Sequence, residues 1–350
     1  MAEVLTQREF RPHRRHVERS APHVRSESLV RHPERSEGSA RSASFNREVA
    51  PCYELVGPPG APVIVALGGI SATRHVTSNE IDDSPGWWED VVGPGRAIDT
   101  NRVRVLGVDF VDGGRARDGR PAHTVTTRDQ ADAVARALDA IGVEHVHAIV
   151  GASYGGMVAL AFAEAYPDRV ERLVAISAPH ETHPMTTALR AVQRQIVELG
   201  LSTGQTREAM SIARGLAMTT YRSREEFAER FDSAPVEQGQ SSATFPVEEY
   251  LRAHGERFAA RWTAERFLAL SLSGDLHRVN PRAIRTPSTI VAAEGDAIVP
   301  RAQLETLVSL LAGPAQLIDL PSTRGHDAFL TEPLALGRII DRALSTIILS

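Results

Sequence analysis

Three separate segments of the sequence carry residues suited to nucleophilic catalysis by a serine. Residues 151–155 read G-A-S-Y-G, a spacing that favours a sharp turn from a strand into a helix with Ser153 exposed. Asp296 follows a β-branched run, and His326 lies beyond the last strand-like run. A serine hydroxyl is a weak nucleophile at neutral pH, so it needs a histidine base and an acid that orients that histidine. The order of these residues along the chain, serine, then aspartate, then histidine, predicts a catalytic triad of Ser153, Asp296 and His326.

Each of these residues also has an ordinary structural interpretation. The G-x-S-x-G segment is a turn that tolerates glycine, Asp296 suits a cap for a helix starting near Pro300, and His326 suits the surface. An apolar strand-like run precedes Ser153 and a helical pattern follows it, as the catalytic turn requires. The order of the three residues along the chain and their positions at strand ends favour a catalytic role over three unrelated structural roles.

Stabilisation of a developing oxyanion calls for two backbone N–H donors. The residue after the nucleophile, Tyr154, is the expected first donor. The second is expected in the loop after the first core strand, where Leu67 or Gly68 is the candidate and Leu67 is preferred.

Strand-like runs alternate with helical patterns, which predicts an α/β fold with a mostly parallel sheet covered by helices on both faces. The expected strands are 62–67, 103–108, 146–150, 173–176, 287–293 and 315–320. Between 182 and 278 the pattern is helical without a convincing core strand, which predicts an inserted lid. The predicted organisation is a disordered Arg/Ser-rich tail at 1–47, core at 48–181, lid at 182–278 and core at 279–350.

Composition excludes several kinds of chemistry. The 350 residues include one cysteine, Cys52, and no lysine, which excludes a disulfide framework, Schiff-base chemistry and a phosphate-loop lysine. The net charge of −5 gives no reason to expect nucleic acid. No apolar run reaches the ~18 residues of a membrane span, so a cytoplasmic location is expected. His145 and His147 share one side of a strand but lack a third ligand nearby, so no metal is expected.

Several segments resemble the homoserine O-acyltransferases, a branch of the α/β-hydrolase superfamily. The resemblance rests on segments from about residue 86 onwards and covers essentially everything after residue 50. The segments are GWWED at 86–90, GPGRAIDT at 93–100, YRS at 221–223, FAERF at 227–231, VEEYL at 247–251, GERF at 255–258 and GHDAFL at 325–330.

The resemblance implies a ping-pong reaction in methionine synthesis, with acyl-CoA and homoserine as substrates and no resident cofactor. It implies that Ser153 accepts the acyl group, that Asp327 holds the amino group of homoserine and that Arg222 holds its carboxylate. An anion and a cation suit a zwitterionic acceptor, and arginine grips a carboxylate with two parallel hydrogen bonds. The resemblance also implies a homodimer through the lid.

The sequence leaves open the identities of the acyl donor and of the acceptor. The loops at 65–69 and 111–117, together with Ala152 and Tyr154, depart from the family's usual sequence near the acyl and CoA site. An acetyl donor is slightly preferred over succinyl, although Arg74 offers a partner for a succinyl carboxylate. The rival hypotheses are a serine O-acyltransferase, an esterase and a non-catalytic relative.

Overall fold

A seven-stranded sheet forms the centre of the computed structural model, which describes residues 51–345. Its strands are β1 (Tyr53–Val56), β2 (Val63–Leu67), β5 (Arg104–Val108), β6 (Ala148–Ala152), β7 (Leu173–Ile176), β10 (Ser288–Ala293) and β11 (Ala315–Leu320). Two further pairs lie outside this sheet: β3 (Val92–Gly93) with β4 (Ile98–Asp99), and β8 (Glu237–Gln238) with β9 (Ala243–Thr244). The order in the sheet is β1-β5-β2-β6-β7-β10-β11. Only the β1–β5 pair of this sheet is antiparallel.

Ten α-helices connect or extend these strands within the described residues. They are α1 (Thr127–Ala140), α2 (Tyr154–Ala165), α3 (Pro184–Thr203), α4 (Thr206–Tyr221), α5 (Arg224–Arg230), α6 (Pro246–Ala259), α7 (Ala264–Asp275), α8 (Arg301–Leu310), α9 (Ala328–Thr331) and α10 (Pro333–Ser345). None of the helices between residues 51 and 345 has the length and hydropathy to cross a membrane.

The strands are apolar on both sides because the sheet is covered on both faces. Every residue of β2, β6, β7 and β10 is buried. One core packs α1, α2 and α8 against one face, and a second packs α10 and the Trp88 loop against the other. Near-continuous apolar runs are typical of such doubly covered parallel strands. The α/β prediction is therefore confirmed.

In the segment where the sequence predicts an insertion, the structure has α3–α7 and the small β8–β9 pair, which lie between β7 and β10. These helices have their own apolar core, which includes Val197, Met210 and Phe267. A Thr186 hydroxyl at the start of α3 donates 2.8 Å to the Ile298 carbonyl, which ties the insertion to the loop of Asp296. The predicted tail at 1–47 lies outside the described residues.

Candidate active site

The turn at Ser153 joins β6 to α2 and holds the serine in an unusual backbone conformation. Ser153 has φ 53° and ψ −120°, which an L-residue with a side chain rarely adopts. The flanking glycines make the turn possible, because a Cβ on Gly151 would collide with the Gly155 backbone and one on Gly155 with the Leu67 carbonyl. Ser153 is therefore held in a strained backbone conformation by a turn that presents its side chain above the carboxyl end of the sheet.

The structure brings the three predicted triad residues into one hydrogen-bonded chain. His326 Nε2 lies 2.7 Å from Ser153 Oγ, and His326 Nδ1 lies 2.8 Å from Asp296 Oδ2. The other carboxylate oxygen of Asp296 accepts the backbone N–H groups of Ile298 at 2.8 Å and Val299 at 2.9 Å. The side chains of His326 and Asp296 are 5% and 2% exposed, so the hydrogen bond between them is shielded from water. This geometry suits a serine nucleophile, a histidine base and a fixed aspartate.

Two opposing effects set the pKa of His326. Burial disfavours the charged ring and lowers its pKa, whereas the charge and hydrogen bond of Asp296 raise it, and the net result is a raised pKa. Because the ring must be neutral to accept the Ser153 proton, activity should appear only as pH rises through this elevated pKa.

The predicted oxyanion donors differ in how well they are placed. Tyr154 opens α2, and the first-turn N–H groups of a helix have no intrahelical acceptor. Leu67 instead is the last residue of β2, where it pairs with Gly151 of β6 and is buried. Gly69, two residues beyond the strand, lines the cleft at Ser153. We propose the N–H of Gly69, rather than that of Leu67, as the second donor.

Asp327 directly follows the histidine and lies in the same cleft as Ser153. Its side chain is 14% exposed, and burial raises its pKa although the charge of Arg222 lowers it. Arg222 Nε is 3.1 Å from Asp327 Oδ2, but without the alignment of a hydrogen bond. A substrate ammonium beside Asp327 would therefore favour its ionised form.

Carboxylates form ion pairs with Arg222 on two sides. Besides Asp327, it contacts Glu226 at 3.3 Å, and Glu226 also binds Arg230 at 2.9 Å and Arg324 at 3.0 Å. The Glu226 side chain is 1% exposed. Burial raises the pKa of Glu226, but these arginines more than offset it and the net pKa is lowered. Arg222 thus joins α5 of the insertion to the histidine loop.

Sequence reasoning missed Arg214, a cation that faces the same cleft as Asp327. Its guanidinium stacks 5.1 Å from the ring centre of Tyr221 and 5.0 Å from that of Phe258. Within residues 51–345, no carboxylate forms an ion pair with it, and its Nε has no hydrogen-bond partner. Arg214 is therefore better placed than Arg222 to receive the carboxylate of a ligand.

Two clefts meet at Ser153 and His326. The Asp327 cleft contains Gly69, Trp87, Arg214 and Asp327, and the Arg190 cleft contains Met157, Leu189, Arg190 and Gln193. Tyr221 forms part of both and lies 5.9 Å from the His326 ring between ring centres. Two separate binding regions beside one nucleophile suit a reaction with two substrates.

The histidines considered for metal binding do not form a metal site in the described part of the chain. His147 Nδ1 instead lies 3.1 Å from Glu171 on the neighbouring segment. Among residues 51–345, no group of three or more potential ligands converges.

Residues 62–333 match the family model of the α/β hydrolase fold, the class to which this fold and this serine site belong. The chain is 42% identical to a homoserine O-succinyltransferase of Xanthomonas campestris, over 93% of this chain and 85% of the relative. It is 34% identical to a serine O-succinyltransferase of Litchfieldella anticariensis, over 78% of this chain and 85% of the relative. The protein is a transferase that belongs to the homoserine O-acyltransferase family. Its fold is similar to that of a homoserine O-acetyltransferase from Bacillus anthracis, with a TM-score of 0.77 at 19% identity over 85% and 92% of the two chains.

Proposed function

We propose that the protein transfers an acyl group from an acyl-CoA thioester to the hydroxyl of homoserine. The observation that carries the proposal is the pair of opposite charges, Asp327 and Arg214, in the cleft that contains Ser153 and His326. A free amino acid presents an ammonium and a carboxylate, and both need partners when they leave water. Simple ester hydrolysis requires neither charge.

In the first half-reaction, His326 Nε2 takes the proton of Ser153 as Oγ attacks the thioester carbon. The C–O bond forms, the C–S bond breaks, and the CoA sulfur leaves with the proton from His326. In the second half-reaction, His326 deprotonates the homoserine hydroxyl, which attacks the serine ester. Collapse returns the proton to Ser153 and releases O-acylhomoserine. The N–H groups of Tyr154 and Gly69 hold the oxyanion at both stages.

Transfer competes with hydrolysis, because water is present at far higher concentration than the acceptor. The inserted helices cover the nucleophile: Tyr221 lies against His326, and the Ser223 hydroxyl donates to the Thr323 carbonyl just before the histidine loop. Such a cover limits water and holds the acceptor hydroxyl in place, which is what favours transfer.

The product suits methionine synthesis, because acylation converts the hydroxyl of homoserine into a leaving group that sulfur can displace. The cytoplasm, which supplies both substrates, is the proposed location. Serine is the alternative acceptor, since it carries the same two charges with a shorter side chain and one relative is named for it.

The test is release of CoA from acetyl-CoA and succinyl-CoA with homoserine, with serine and without an acceptor. We expect rapid steady-state release only with an amino acid, fastest with homoserine, and appearance of the O-acyl product. Equal rates without an acceptor would indicate an esterase-like hydrolase and contradict the proposal. A faster rate with serine would identify the alternative acceptor.

Replacement of Arg214 by glutamine should weaken use of the acceptor about 10- to 150-fold in kcat/KM, the range for one charge-assisted hydrogen bond. The first CoA released by the enzyme alone should be unchanged, because the donor does not contact Arg214 in this mechanism. Arg222→Gln is the matched variant. A larger acceptor-specific loss in Arg222→Gln than in Arg214→Gln would restore the assignment of the carboxylate to Arg222.

We also propose a homodimer that uses the inserted helices. Met185, Val192 and Leu199 recur every seven residues on α3 and are 62%, 47% and 64% exposed. An exposed apolar stripe at this spacing is typical of a helix that packs on another helix. Light scattering should give twice the mass of the chain, and Val192→Glu should reduce it to the monomer mass. A monomeric wild type would refute the dimer.

A further inference from the structure

The Arg190 cleft contains a cation that the proposed reaction with an acetyl group does not use. Arg190 projects from α3, and its side chain is 16% exposed. The remaining cleft walls include Ile70, Met157 and Leu189. A guanidinium beside apolar walls is costly unless an anion accompanies it, and burial lowers the pKa of Arg190.

The protein supplies only part of that negative charge. Arg190 Nε lies 2.8 Å from Asp275 Oδ1 at the end of α7, but without hydrogen-bond alignment. The other oxygen of Asp275 accepts from Arg194 at 2.6 Å. Within residues 51–345, Asp275 is the carboxylate that pairs with either guanidinium, so two cations share one anion. Arg190 and Arg194 are also four residues apart on one helix, where like charges repel.

Their surroundings distinguish the two arginines. Arg194 points its Nη1 at both Asp275 and the Ser271 hydroxyl, 3.0 Å away, and it does not line the cleft. Arg190 lines the cleft, and within residues 51–345 its one hydrogen bond is long, 3.4 Å from Nη2 to Thr182 Oγ1. The arginine whose charge is less fully compensated therefore lines the same cleft as Ser153.

We propose that Arg190 binds the terminal carboxylate of a dicarboxylic acyl donor, so that the donor is of the succinyl class rather than acetyl. This inference rests on the proposed acyltransferase function. A succinyl group on Ser153 carries its carboxylate two methylene groups beyond the ester carbonyl, and the apolar walls suit those methylenes. The guanidinium fork then provides the charge-assisted hydrogen bonds that Asp275 leaves unmade.

Arg74, the partner considered from sequence, is less suited to this role. Its guanidinium is ion-paired with Asp109 at 2.5 Å, and its side chain is 47% exposed. It does not line either cleft at Ser153. The structure therefore favours Arg190 over Arg74, and a succinyl donor over the acetyl donor that the sequence slightly favours.

The experiment measures kcat/KM for succinyl-CoA, acetyl-CoA and butyryl-CoA at saturating homoserine. Butyryl-CoA matches the chain length of succinyl-CoA but ends in a methyl group. We expect the wild type to prefer succinyl-CoA. Arg190→Gln should lower kcat/KM for succinyl-CoA about 100-fold while changing that for butyryl-CoA by less than about threefold.

Arg194→Gln leaves the Arg190 guanidinium in the cleft but gives it Asp275 to itself, so it should lower kcat/KM for succinyl-CoA selectively, and by less than Arg190→Gln does. An equal loss for all donors in Arg190→Gln, or a wild type that prefers acetyl-CoA, would overturn the inference while leaving the acyltransferase function intact. Failure of the wild type to cleave any of the thioesters would instead refute the function itself.

If Arg190→Gln does not fold, Arg190→Lys decides the question. Lysine keeps the charge but loses the planar fork, so succinyl-CoA should suffer several-fold more than butyryl-CoA. Equal losses for these two donors in Arg190→Lys would overturn the inference.

Discussion

Replacing Ser153 by alanine should lower turnover roughly 10⁴- to 10⁶-fold, the loss expected when the nucleophile of a serine–histidine–aspartate triad is removed. The hydroxyl lies 2.7 Å from His326 Nε2, and no other hydroxyl forms a hydrogen bond with this ring in the described residues. The measurement is CoA release under saturating substrates. Mass spectrometry of the enzyme after exposure to donor alone should detect an acyl adduct on the wild type only.

Ser177→Ala provides a matched control for this substitution. Ser177 directly follows β7, the strand next to β6, is fully buried, and also has a positive φ, at 48°. Alanine there removes a buried hydroxyl from a strained residue without touching His326, so turnover should stay near that of the wild type. If Ser153→Ala retained comparable activity, or still formed the acyl adduct, Ser153 would not be the nucleophile.

The order of the elements could be predicted because the buried strands are short apolar runs between helical patterns. The sequence predicts a strand at 287–293 and the structure has β10 at Ser288–Ala293. The antiparallel edge strand β1 was not predicted. It is only partly buried, since it pairs with β5 alone, so its residues carry a weaker apolar signal.

The triad residues could be predicted as a set because each follows a recognisable strand. The second oxyanion donor is harder to assign from sequence, because the sequence does not show which N–H groups near the end of β2 pair with the neighbouring strand. Leu67 is still paired with Gly151 of β6, whereas Gly69 lines the cleft at Ser153, which is why Gly69 is the donor we propose.

The charges in the clefts depend on how the inserted helices pack, which the sequence does not specify locally. The sequence nevertheless contains an indication of the role proposed for Arg214. Arg214 has Met210, Ser211, Ala217 and Met218 as its neighbours three and four residues away, so no acid on its own helix can pair with it. Arginines that lack a helical partner inside an otherwise charged insertion are candidates for ligand contact. Arg222, with Glu226 four residues later, has such a partner.

Replacing Asp296 by asparagine should have the second largest effect, a loss of roughly 10⁴ in kcat. Asp296 orients His326 through the 2.8 Å hydrogen bond to Nδ1 and stabilises the charged ring that forms during each half-reaction. An amide retains the shape of the side chain but loses the charge, and its NH₂ group can present a donor to Nδ1 and favour the wrong tautomer.

The same substitution should change the pH dependence of whatever activity remains. In the wild type, Asp296 keeps the pKa of His326 raised against the opposing effect of burial. Without the carboxylate, burial dominates and the pKa of His326 falls. Because only the neutral ring acts as the base, the acid limb of the kcat/KM profile should therefore move to lower pH in Asp296→Asn.

The control is Asp319→Asn, which neutralises an exposed aspartate that binds Arg301 on the surface. It should leave both the rate and the acid limb in place. An acid limb that stays at the wild-type pH in Asp296→Asn would mean that a group other than His326 limits the reaction on that side. A loss of less than about tenfold in kcat would show that this aspartate does not orient the base.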